Sequence, residues 1–81
     1  MRPRFNSITH TKTMLLLAMI TTHHGQPLAV DMHDIETLTH VRTITQDELA
    51  PNATLEAAAF AYAYNSGHII DTLGRVEVPA P

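Results

Sequence analysis

No cysteine occurs in the 81 residues, which excludes a disulfide framework, thiolate catalysis and any cysteine-based metal site. That fits a reducing compartment, and a cytoplasmic setting is expected. Tryptophan is missing too, and the aromatics are Phe5, Phe60, Tyr62 and Tyr64 alone. A chain of this length buries only roughly 60% of its unfolded surface. With so few large side chains the core is thin, which points to a protein partner or a homo-oligomer. An enclosed catalytic pocket is hard to build from such material. Nucleophiles such as Ser7 and Ser66 have no glycine-rich elbow around them, and no glycine-rich phosphate loop is present. No enzyme activity, no catalytic residue and no cofactor are expected. Lysine appears once, as Lys12, so cations for nucleic-acid contact are scarce.

Long apolar runs are also lacking. Thr13 to Ile20 is far shorter than the roughly 20 residues that a membrane-spanning helix needs. Preceded by Arg2, Arg4 and Lys12 and followed by small residues near Pro27-Leu28-Ala29, it has the outline of a secretory signal peptide over residues 1–29. Cleavage there would leave about fifty residues without cysteine, a poor prospect for a secreted fold. The reading adopted is one small domain over 1–81, with a basic tail at 1–8, a C-terminal tail at 79–81 and no membrane contact.

What is present centres on Pro51 to Gly67. Pro51 ends the preceding segment, Asn52 or Thr54 offers an N-cap, and Gly67 can take the left-handed closing conformation. The alanine-rich run between them has high helix propensity. Leu55, Ala58, Ala59 and Tyr62 share one face, and Phe60 and Tyr64 lie nearly opposite. No charge falls between Ala57 and Tyr64, so this helix is either sandwiched in the fold or touches a partner. Phe60 and Tyr64 either pack beneath strands carrying Ile69, Val76 and Val78 or anchor an interface.

Elsewhere a first helix is expected from Ser7 or Thr9 to Thr22, with Ile8, Leu15, Leu16 and Met19 inward and Gly25 and Pro27 ending it. A short second helix is expected over Asp31 to Val41, striped by Met32, Ile35 and Leu38, with strand or loop open as far as Thr45. Thr45-Gln46-Asp47-Glu48 is a capping box that starts a brief helix before Pro51. After Gly67, His68–Thr72 and Arg75–Val78 form two β-like runs with Leu73-Gly74 as the turn. The expected fold is α+β, a three-helix core with a C-terminal β-hairpin.

The order Ile44-Thr45-Gln46-Asp47-Glu48-Leu49-Ala50, a break, Ala53-Thr54-Leu55 opening a long helix, then Gly67-His68-Ile69-Ile70 resembles a winged helix-turn-helix. The resemblance spans Ile44 to Val78 and implies a DNA-binding transcriptional regulator, with the long helix as reader and the hairpin as wing. A reader helix needs Arg, Lys, Asn or Gln at base edges. This one offers Glu56, alanines, Phe60 and tyrosines, which favours protein contacts over direct nucleic-acid binding.

The acidic middle supplies the other candidate surface. Asp31, Asp34, Glu36, Asp47 and Glu48 lie at two expected helix starts, where carboxylates are favourable in themselves. Gathered on one surface they would imitate a phosphate row and steer onto a basic groove. Small inhibitors of nucleic-acid-binding machines, anti-CRISPR proteins among them, often work in this way. His33, Glu36 and His40 would share a helical face with zinc-ligand chemistry, but at the spacing of no zinc motif, and no metal is expected. The functional expectation is a non-enzymatic protein-interaction module, a small regulator or inhibitor of a larger complex. It would act through the acidic residues and the Phe60–Tyr64 face.

Overall fold

The computed structural model describes residues 12–79 as one four-stranded sheet with a single long helix on one face. In chain order come β1 (Leu15–His23), β2 (Gln26–Asp34), β3 (His40–Thr45), a 3-10 turn (Gln46–Glu48), α1 (Leu55–Ser66) and β4 (Ile69–Glu77). The sheet order is β3-β2-β1-β4, with β4 parallel to β1 and the other neighbours antiparallel. The expected three-helix core and the winged-helix arrangement are therefore overturned. The basic tail at 1–8 and the start of the expected first helix lie outside the described residues.

The first expected helix is the central strand. Leu16, Ala18, Ile20 and Thr22 are buried beneath α1, whereas Leu15, Leu17, Met19 and Thr21 point to the other face. A strand that carries apolar side chains on both faces loses its alternation and reads as an unbroken run. Gly25 does not end a helix. With His24 it makes a two-residue hairpin loop, both at positive φ (53° and 77°), which matches the twist of the flanking strands. Pro27 sits opposite Thr22 at a bulge and beyond the last β3 pair, where a missing N–H is tolerated.

The second expected helix divides at Asp34. Val30 and Met32 face the core from β2, and Ile44 does so from β3. The Asp34 carboxylate accepts the Glu36 N–H at 2.9 Å, and Leu38, at φ 63°, completes the turn. An aspartate that can cap a helix can equally well close a turn, so the local signal was double-valued.

The Thr45–Glu48 segment behaves as read, as a single turn. Glu48 accepts from the Thr45 N–H and hydroxyl at 3.0 and 3.1 Å. The main helix also forms as read. Thr54 caps it by accepting the Ala57 N–H at 3.1 Å, and Gly67 closes it at φ 75°. Leu55, Ala59 and Ala63 are its buried stripe, and Ala58 and Tyr62 are half-buried beside the core.

The expected C-terminal hairpin is one continuous strand. β4 runs straight through Leu73-Gly74, with Leu73 beside Ala18 and Gly74 beside Met19. Gly74 is not needed for positive φ. Its missing Cβ leaves room for the Met19 side chain, whose tip lies 3.1 Å from where that atom would be. Among the described residues no helix is long and apolar enough to cross a membrane.

Candidate functional site

Three polar clusters and one apolar recess stand out on the surface. At the hairpin end of the sheet, the Glu77 carboxylate gathers the Thr22 hydroxyl at 2.7 Å and the backbone N–H groups of His24 and Gly25. The Thr22 hydroxyl chiefly, with the two amides and His23 adding to it, holds this carboxyl below the usual glutamate range. Glu48 is lowered in the same way, first by the Thr45 N–H, then by the Thr45 hydroxyl and the nearby Arg42. Both clusters hold chain turns in place and are satisfied within the fold.

The third cluster lies on the sheet face that α1 does not cover. The Thr43 hydroxyl donates to Asp31 and accepts from His40 Nε2 at 2.8 Å. His33 meets the His40 ring edge-on with centroids 5.3 Å apart. These two histidines are cross-strand partners, not neighbours on a helix, and Glu36 is away in the turn. Among the described residues no three His, Asp or Glu side chains are placed to hold a metal ion.

The five acids proposed from sequence are not brought together. Asp31 is on the uncovered sheet face, Asp34 and Glu36 are at the β2–β3 turn, and Asp47 and Glu48 follow the far end of β3. The six residues of β3 alone separate the last two groups by about 20 Å at the usual strand rise. Their expected placement at two helix starts fails because one of those helices is a β-hairpin.

Phe60 and Tyr64 do come together. One turn apart on the outer side of α1, they are 51% and 85% exposed. With Ala63, His68, Ile69 and Ile70 they border an open recess of about 360 Å³ between the end of α1 and the start of β4. Ile69 is 55% exposed, so three large apolar side chains meet water around one shallow depression. His68 Nδ1 accepts the Met14 N–H at 3.1 Å, which fixes the proton of the neutral ring on Nε2 and pins the entry to β1.

Sequence reasoning named Phe60 and Tyr64 but missed His68 and Ile70 as their neighbours. The signal was available in Gly67, which reverses the chain so that the next residues return beside the last helical turn. Val76, expected with Ile69 beneath the aromatics, pairs with Thr21 and points to the opposite sheet face. No protein-family model, curated protein or solved structure matches the chain, so the geometry alone carries the functional reading.

Proposed function

We propose that the chain is a non-enzymatic protein-interaction module that captures one apolar side chain of a partner protein in the Phe60–Tyr64–Ile69 recess. The observation that carries this reading is the joint exposure of those three side chains around one cavity. Exposed aromatics beside a depression are the usual anchors of protein interfaces. The electrostatics select a partner segment whose apolar anchor is flanked by lysine or arginine. The last turn of α1 carries no basic residue to offset its carbonyl end, Asp71 is exposed just beyond, and the chain has a net charge of −3. Binding there would make the protein a small regulator or inhibitor of the assembly to which its partner belongs, in the cytoplasm.

Selection of random peptides displayed on phage, with the wild-type chain as bait, tests the reading. Enriched peptides should share an apolar residue flanked by Lys or Arg, and they should lose binding to a folded Tyr64→Asp variant. No enrichment, or equal binding to that variant, would sink the proposal.

A further inference from the structure

The strand that borders the recess has a second property, which is independent of the recess itself. β4 is an edge strand of nine residues with no proline and no lysine inside it. Natural sheets commonly use those residues, or a very short edge, to keep other strands away. Its far side has no neighbouring strand among the described residues.

Backbone directions along β4 follow from its pairing with β1. The Val78 N–H donates to the Thr22 carbonyl, and the ladder places Val76 beside Thr21, Gly74 beside Met19 and Thr72 beside Leu17. Alternation then turns the N–H and C=O of Leu73, Arg75 and Glu77 outward, and beyond Thr72 those of Asp71. Three of these four side chains also alternate onto the α1 side of the sheet in a row, Asp71, Leu73 and Arg75.

We propose that β4 pairs antiparallel with β4 of a second copy about a two-fold axis at Leu73, joining two sheets into one of eight strands. Leu73 then faces Leu73 of the second copy as a hydrogen-bonded pair. Asp71 faces Arg75, and by symmetry Arg75 faces Asp71, so two ion pairs flank a leucine contact. Other registers are worse. Centring on Asp71 or Arg75 sets like charges against each other, and centring on Gly74 sets Asp71 against Glu77. Centring on Val76 pairs Arg75 with Glu77 but sets Pro79, which has no N–H, against Leu73. Leu73 is 38% exposed at the dyad, an apolar contact that a second copy would cover. Arg75 already reaches Glu56 on α1, and its forked guanidinium has donors for a second carboxylate. Isologous pairing of this kind closes on itself, so it produces a dimer and not a fibre.

Sedimentation equilibrium combined with residue-resolved hydrogen exchange tests the pairing. The wild type is expected to be a dimer in which the outward amides of Leu73 and Arg75 are protected along with the inward ones. Asp71→Lys, which leaves the backbone of β4 intact, should weaken dimerisation by about tenfold or more by setting like charges opposite each other twice. Leu73→Pro should give a folded monomer, because the N–H it removes makes no bond within the chain. A monomeric wild type, or a dimer whose Leu73 and Arg75 amides exchange freely, would overturn the proposal. So would a folded Asp71→Lys chain of unchanged dimer affinity. None of these outcomes bears on the recess, whose peptide binding is read separately.

Discussion

Leu55→Ala is the substitution from which most can be learned about the packing. α1 is held to the sheet by a narrow stripe in which Ala59 and Ala63 supply close approach and Leu55 supplies bulk. Leu55 is 1% exposed and is the only large, fully buried side chain that the helix contributes. Its truncation removes the transfer free energy of the lost carbons and opens a cavity that two rigid layers cannot close, which costs about 2–5 kcal/mol. A domain of this length has roughly 4–12 kcal/mol of total stability at the usual value per residue. One substitution would therefore remove a large fraction of it. In urea, with a slope of about 1 kcal/mol per molar, the midpoint should fall by about 2 M or more at unchanged slope. Tyr64→Ala on the opposite side of the same helix, where the residue is 85% exposed, should change stability by no more than about 0.5 kcal/mol. A loss below about 1 kcal/mol for Leu55→Ala would refute the packing of α1 described above.

Further predictions follow from single contacts. Gly74→Ala should cost less than about 1 kcal/mol in the same assay, because the glycine is in strand conformation and only the flexible end of Met19 must move. A hairpin glycine at positive φ would cost more. Glu77 and Glu48 both have folded pKa values below the ordinary range, so their contribution is full above the unfolded value of about 4.3. It is lost as pH falls through the lower folded values. Glu77→Gln should accordingly flatten the acid limb of a stability-versus-pH curve, and an unchanged limb would contradict the turn clamp. His68→Ala leaves the Met14 N–H without its acceptor and should cost about 1 kcal/mol, with faster exchange of that amide.

The two segments read correctly from sequence, α1 and the Thr45–Glu48 turn, are those whose ends are set by local chemistry. Thr54, Gly67 and the Glu48 carboxylate act within a few residues of themselves, so tertiary structure had little to override. The sheet was illegible for the opposite reason. β1 has apolar residues on both faces because it is central, and Leu16-Leu17-Ala18-Met19 consists of residues with ample helix propensity. Only β2 and β4 on either side decide its conformation. Leu73-Gly74 was misread because a glycine that makes room for Met19 carries the same letter as one in a turn. In the candidate site, Phe60 and Tyr64 were visible from helical spacing. The acidic surface was not realised, because its premise required helices where the chain makes a hairpin.

The central claim is that the recess between α1 and β4 takes an apolar side chain from a partner with basic flanks. The most direct measurement is a titration of isotope-labelled protein with one of the selected peptides, followed by backbone and methyl chemical shifts. The account predicts saturable shifts centred on Phe60, Ala63, Tyr64, Ile69 and Ile70, which weaken when the peptide's Lys or Arg residues are replaced by Glu. Shifts centred instead on Leu17, Met19 and His33 would place binding on the uncovered sheet face and contradict the account.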